Sequence, residues 1–396
     1  MDMIEQPVSN LFPVCESFQS VDIMDVTACA SDKFPPTDTP PDSTFPDEGS
    51  ACGEELPTEN STFYSPFTPE SISQVCVSTA MSSESQHEWM AKRRLVAESP
   101  HGYILTLPSK GIRGTFIDAL NIWFEASEDK TAAIKEVIDM LHNSSLMIDD
   151  FQDNSPLRRG KPSAHSVFGP AQAINSATYI IVKAIDRVQQ IASLETLKRV
   201  TATLLTIFEG QAMDLSWTFN NTPPSIQSYL LMINDKTGAL FRLACELLVS
   251  NSQIHLDNNF PESINRMVSL IGQYFQIRDD YQNLTDLDYA DKKGFCEDLD
   301  EGKYSLPLIH ALQSDSSGIL TNMLSIRRTQ GCLTTEQKAL MLNRMEACGS
   351  LDWTRLLLND LHQQMIAEIE KLEEATDRNN PALRALVERL RLPVDV

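Results

Sequence analysis

Beyond about residue 85, apolar residues recur every three to four positions, and that period predicts helices. Helical character begins near Ser85 and passes through Trp89, Met90 and Leu95, and Pro100–Pro108 reads as a connector. Helix resumes around Gly111, with Ile112, Phe116, Ala119, Leu120 and Trp123 on one side. From about Lys130 to Gln152, Ala133, Val137, Met140 and Leu141 share a face. From Gly169 to about Ile191 the stripe is Ile174, Ala177, Ile181, Ala184, Ile185 and Val188, and Leu194–Trp217 and Ser225–Val249 continue the period. Pro261 stands where a first helical turn accepts proline, opening a helix through Ile264, Val268, Ile271 and Phe275. Thr334 and Gln337 have the spacing of a capping box, and Leu358, Leu361, Met365, Ile369 and Leu372 form a packing or oligomerising face. There is no convincing alternating strand pattern, so the body is predicted to be all-α.

Composition separates the two ends. The chain has 396 residues and a net charge of −23, enough length for a large core in one or two domains. Residues 1–90 hold 16 acidic residues against the single Lys33, together with 10 of the 21 prolines. Such a composition buries too little apolar surface to offset its ordering entropy. We therefore expect a disordered acidic Pro/Ser-rich leader over 1–85 and a folded domain over 86–396. The acidic balance argues against nucleic-acid binding. The eight cysteines form no Cys-x-x-Cys pair, no run of about 18 apolar residues occurs, and Met1–Glu5 lacks a basic leader. These features predict no membrane span, a reducing compartment and a cytoplasmic location.

The chemistry concentrates in two stretches. Asp149, Asp150 and Asp153 stand at i, i+1 and i+4, followed by Arg158 and Arg159. Residues four apart share a helix side, so Asp149 and Asp153 should point together with Asp150 beside them. Carboxylates this close repel unless a cation intervenes; hard oxygen ligands suit Mg²⁺ shared with substrate phosphates, and the arginine forks match phosphate oxygens. A second cluster, Gln276 to Asn283 with Asp279 and Asp280, repeats the spacing, and Lys293 and Lys303 follow. One such motif is usually a solvated acidic face; two, each trailed by basic residues, point to a diphosphate substrate.

Residues from about 87 to 390 resemble the trans (head-to-tail) short-chain isoprenyl diphosphate synthases, most closely fungal geranylgeranyl diphosphate synthases. The motifs come in that family's order: Leu107–Arg113, His142 with Asp149–Arg159, Lys236-Thr237, Gln276–Asn283, then Lys293 and Lys303. The resemblance implies an antiparallel helix bundle of the isoprenoid synthase type around a deep central cavity, with a homodimer or higher homo-oligomer. It implies condensation of isopentenyl diphosphate with dimethylallyl, geranyl or farnesyl diphosphate, using about three Mg²⁺ per site. Asp149, Asp150, Asp153 and Asp279 would hold the metal, and Asp280 and Lys236 complete the catalytic set. Lys110, Arg113, His142 and Arg159 would hold isopentenyl diphosphate. Arg158, Lys236, Thr237, Gln276, Asn283, Lys293 and Lys303 would hold the allylic diphosphate. Two departures stand out: Asn283 replaces a third aspartate, and Ser109 stands where glycine commonly precedes the lysine.

Chain length follows from how deep the tail reaches. Ser144 and Ser145, five and four residues before Asp149, stand where farnesyl-specific relatives tend to carry bulky aromatics, so they leave the floor open to products beyond C15. Ile181, Val182 and Phe208 are expected to limit it further down. Gly210–Asp214 is expected to line the cavity with Asp214 as a structural acid, and Glu368–Glu374 reads as a solvated helix face. Two rival readings are a class I terpene cyclase, which would need no isopentenyl-binding set, and a non-catalytic synthase subunit, which should have lost one motif.

Overall fold

Most of the apolar stripes become the buried sides of helices, although Trp89, Met90 and Leu95 at the start of the first helix are exposed. A computed structural model describes residues 83–252, 260–286 and 295–392. The chain divides into two units, residues 1–87 and 88–396. The expected leader lies outside the described residues except at 83–85, where helix has already begun, and Lys293 also lies outside them. The described elements are α1 (Ser83–Thr106), α2 (Ile112–Phe124), α3 (Glu128–Gln152), β1 (Leu157–Arg158), β2 (Lys161–Pro162), α4 (Ala164–Phe168), α5 (Pro170–Ile191), α6 (Leu194–Asn220) and α7 (Ile226–Ile233). A single π turn (Asn234–Gly238) joins α7 to α8 (Ala239–Ser250). Then come α9 (Phe260–Thr285), α10 (Glu297–Glu301), α11 (Leu306–Ser314), α12 (Ile319–Gln330), α13 (Thr335–Ala347), α14 (Ser350–Thr376) and α15 (Pro381–Leu390).

Helix starts follow local chemistry. Ser193 caps α6 by accepting from the Thr196 N–H at 3.2 Å, and Ser225 caps α7 through Ser228 at 3.0 Å. Thr334 and Gln337 make both bonds of the capping box that opens α13. The most extensive helix pairs are α3 along α5 and α9 along α14. Phe116 of α2 meets Phe241 of α8 edge to face at 5.2 Å. Leu358, Leu361, Met365, Ile369 and Leu372 are all buried, so that face of α14 is core. Among the described residues, no helix is long and apolar enough to cross a membrane.

Four sequence expectations need correction. Pro100 does not open a connector: α1 runs through it to Thr106, because Ile104 and Leu107 are buried against Met147, Ala164 and Ala173. That packing outweighs the proline's missing hydrogen bond. On α5 the buried face is Ala173, Ala177, Ile180, Ala184 and Val188, whereas Ile174 and Val182 are exposed. Of the run Glu368–Glu374, Glu370, Lys371 and Glu374 are exposed as expected, but Glu368 and Glu373 are buried: Glu368 meets Arg266 at 3.1 Å, and Glu373 accepts from the Asn380 N–H at 2.6 Å. Finally, β1 and β2 form a short antiparallel hairpin whose turn residues Arg159 (φ 56°) and Gly160 (φ 76°) both sit in the left-handed region. That is the two-residue hairpin turn favoured by strand twist, and it holds Arg158 and Arg159 on a defined ledge just beyond α3.

Candidate active site

A cavity of about 670 Å³ is lined by residues from α2, α3, α5, α6, α7, α8, α9, the π turn, the segments before α2 and after α3, and the 298–305 segment. Asp149, Asp279, Lys110, Arg158, Lys236 and Lys303 all face it. Along α6, Asp214 and Gln211 belong to this charged end, and Phe208, Ile207 and Leu204 follow one to two turns away. At about 1.5 Å per residue, the lining changes from charged to apolar over roughly 10 Å.

Asp149 is held from three sides. Gln211 donates to its Oδ1 at 3.1 Å and Lys236 Nζ approaches the same oxygen at 3.2 Å, while Lys303 Nζ lies 3.8 Å from Oδ2. Lys236 also contacts Asp214 Oδ2 at 2.7 Å. Burial pulls the Lys236 ammonium down, but the Asp149 and Asp214 carboxylates outweigh it and raise its pKa. Asp153, the residue that caps α3, meets Lys303 Nζ at 2.5 Å. Burial pushes its carboxyl up to about 7 despite Lys303. Lys303 further contacts Glu301 at 2.8 Å, and Glu301 bonds Ser155 in the loop beyond α3.

Asp150 faces elsewhere. It is fully buried and absent from the cavity wall, and Arg158 Nε donates to its Oδ1 at 2.8 Å. Successive helix positions diverge by about 100°, so Asp150 cannot share the direction of Asp149. In this arrangement the Asp150 carboxylate anchors Arg158.

The second motif differs, because both of its aspartates line the cavity. Asp279 faces the cavity. Asp280 is clamped by Tyr229 Oη donating at 2.5 Å, Gln276 Nε2 at 3.0 Å and the Leu306 N–H at 3.1 Å. Burial pushes the Asp280 carboxyl up to about 7, with Asp298 adding to the rise. Asn283 is buried off the wall, accepting from the Asp298 N–H at 3.3 Å; it braces α9 against α10. Thr237 Oγ1 donates to Gln276 Oε1 at 2.8 Å, which joins the π turn to α9.

The basic set near α2 also converges. Lys110, Arg113, His142 and Arg159 line the cavity. Arg113 Nη1 stands 2.8 Å from His142 Nε2, and its guanidinium lies 5.5 Å from the ring centres of Phe241 and of Phe275. Burial, then the charges of Arg113, Arg159 and Arg158, hold His142 well below the ordinary histidine range. A neutral His142 accepts from Arg113, so it orients that arginine. Burial also lowers Arg113 to about 10.

Of the residues expected to set chain length, Ser145, Ile181 and Phe208 line the cavity. Ser144 is fully buried and Val182 is 60% exposed; neither lines it. Ser144 and Val182 are each one helical position from a lining neighbour, and that step turns them away. Gln211 and Asp214, in the stretch expected to line the cavity, do line it, whereas sequence reasoning missed Tyr229 and Glu301. Tyr229 carried no signal in the sequence.

The donor set fits a divalent cation shared with a ligand. Among the described residues, no three or more His, Cys, Asp or Glu side chains gather to hold an ion alone. Mg²⁺ commonly takes one or two carboxylates and completes its shell with phosphate oxygens and water, as Asp149 and Asp279 permit. The Lys303 ammonium lying between Asp149 and Asp153 indicates that cationic charge is favoured there.

A model of the polyprenyl synthetase family matches residues 95–340. The chain is 59% identical over 391 residues to geranylgeranyl pyrophosphate synthase 2 of Gibberella fujikuroi, covering 98% of this chain and 100% of that protein. It is 44% identical over 296 residues to geranylgeranyl pyrophosphate synthase 3 of Zymoseptoria tritici, covering 74% of this chain and 80% of the other. It is also 48% identical to fusicoccadiene synthase of Phomopsis amygdali over 305 residues, which cover 76% of this chain but only 42% of that protein. With the aspartates, lysines and arginines of its motifs around one cavity, this chain belongs to the polyprenyl synthetase family.

Proposed function

We propose that the chain is a geranylgeranyl diphosphate synthase, joining isopentenyl diphosphate head to tail to dimethylallyl, geranyl or farnesyl diphosphate. The observation that carries this reading is the single cavity with Asp149 and Asp279 among its charged walls and Phe208, Ile207 and Leu204 beyond them. The similarity to the two geranylgeranyl pyrophosphate synthases supports the same product.

Arg158, Lys236 and Lys303, with Thr237 and Gln276, hold the allylic diphosphate. Lys110, Arg113 and Arg159 hold isopentenyl diphosphate, with His142 orienting Arg113. When the allylic carbon–oxygen bond breaks, its electron pair leaves with the diphosphate, where fixed cations stabilise the growing charge. The double bond of isopentenyl diphosphate supplies the electrons of the new carbon–carbon bond, and a proton then passes to the departed diphosphate. The apolar wall keeps water from the cation. The family uses divalent metal ions; we infer about three Mg²⁺, held by Asp149, Asp153 and Asp279, which supply further charge stabilisation at the leaving oxygen when bound. Asp150 and Asp280 fix Arg158 and Gln276 instead.

A homodimer fits the half-exposed apolar residues of α5 and α6, among them Val182, Leu205 and Phe208. The free thiols of Cys245, Cys296, Cys332 and Cys348 suit a cytoplasmic location. Incubating purified protein with Mg²⁺, isopentenyl diphosphate and each allylic primer, and reading product length by mass, tests the proposal. A C20 diphosphate is expected. A cyclic hydrocarbon, or no elongation, would overturn it.

A further inference from the structure

Lys303 follows a helix that has little reason to form by itself. The helix α10 is five residues long, four of them acidic: Glu297, Asp298, Asp300 and Glu301. A single turn lacks the length to repay helix nucleation. Negative charge at Asp300 and Glu301 also opposes the negative end of the helix dipole, and the last carbonyls have no partner within the helix. Something outside must hold it.

That support comes from α12 and α13. Arg327 Nε donates to the Asp300 carbonyl and Nη2 to the Glu301 carbonyl, each at 2.5 Å. The chain then reverses at Gly302 (φ 74°). A Cβ there would stand 2.6 Å from Arg327 Nη1, so the guanidinium packs flat against the turn. Lys338 bonds the Asp300 carboxylate and donates to the Phe295 carbonyl at 2.8 Å, while the Leu333 N–H donates to Asp300 Oδ1 at 2.9 Å. After the reversal the Lys303 N–H returns to the Asp298 carbonyl at 2.9 Å, and its ammonium reaches Asp153 and Asp149.

We propose that Arg327 is a positioning residue for the reaction: by gripping the two carbonyls that end α10, it aims Lys303 at the first acidic motif and at the allylic diphosphate. A planar fork meets two carbonyls at once, which a lysine ammonium cannot do with the same rigidity. The inference rests on the proposed role of Lys303 in holding the allylic diphosphate.

The test is steady-state kinetics on the full chain with Arg327→Ala, Arg327→Lys, Lys303→Ala and the double variant Lys303→Ala/Arg327→Ala, with melting temperatures alongside. Arg327→Ala should raise KM for the allylic diphosphate about tenfold while moving KM for isopentenyl diphosphate less than about twofold. Arg327→Lys should recover part of that loss at an unchanged melting temperature, so the result stands even if the alanine variant folds poorly. In the Lys303→Ala background, Arg327→Ala should add less than about twofold, because both act through one ammonium. Full multiplication of the two effects, or an equal rise in both KM values, would overturn the inference while leaving the role of Lys303 intact. If Lys303→Ala alone left allylic KM unchanged, the reading of Lys303 would fail and the inference with it.

Discussion

Gly272 of α9 lies so close to Gly238 that a Cβ on it would stand 2.6 Å from the Gly238 Cα. Gly210 of α6 presses from another side, where a Cβ would come within 2.8 Å of the Lys236 backbone nitrogen. The π turn that presents Lys236 and Thr237 is therefore seated between two bare backbones. Gly272→Ala should displace it, costing about 1–3 kcal/mol of stability and raising KM for the allylic diphosphate. Gly102→Ala, in α1 with nothing within 4 Å, should be neutral or stabilise by up to about 1 kcal/mol. Thermal melts and kinetics on the pair check this; equal behaviour would mean the turn is not clamped.

The two neighbouring aspartates of the first motif should fail differently. Asp149→Asn should raise the Mg²⁺ concentration for half-maximal rate about tenfold or more, by removing a ligand charge. Asp150→Asn should leave that midpoint within about twofold and instead weaken allylic diphosphate binding, because the buried partner of Arg158 is lost. A magnesium titration of each variant separates the cases, and matching shifts would return Asp150 to the metal.

Product length should respond to one serine and not its neighbour. Ser145 lies about 6 Å along α3 from Asp149 and faces the cavity, so Ser145→Phe should shorten the main product toward C15. Ser144 is fully buried, so Ser144→Phe should destabilise the fold by about 1–3 kcal/mol through overpacking. Val182→Phe should leave the product unchanged. Mass analysis of products reads all three, and shortening by Val182→Phe would put that residue back on the cavity wall.

Acid should weaken the fold partly through His142. Folded His142 takes up a proton only well below the usual histidine range, whereas the unfolded chain does so near 6.5. Its contribution is fully present above about pH 6.5 and declines below it, by about 1.4 kcal/mol per pH unit until the folded pKa is reached. His142→Gln keeps an acceptor for Arg113 but cannot titrate. Between pH 7.5 and 5.5, denaturant melts should show the parent losing about 1 kcal/mol more than the variant; parallel losses would mean the ring is not held neutral.

Much of the site was legible because it depends on short-range spacing. Asp149 and Asp153 are one helical turn apart, and both engage Lys303. Ser145, Ile181 and Phe208, placed at cavity depth by their spacing, stand on the wall. At Asp150, Ser144 and Val182 a single residue step along the helix rotates the side chain into another environment. The hairpin at Arg159-Gly160 went unseen because strands of two residues carry no periodic signal.

The sequence by itself determined the helical body, its capping box at Thr334, the buried face of α14 and the residue types that converge on the cavity. These follow from periodicities of a few residues and from charge chemistry that any helix would express. Only the tertiary structure decided that α1 continues through Pro100, that a π turn seats Lys236 between glycines, that Tyr229 clamps Asp280, and that Arg327 ends α10. Each joins residues distant in sequence, and the outcome depends on which surfaces meet when the helices pack, which local propensity does not encode.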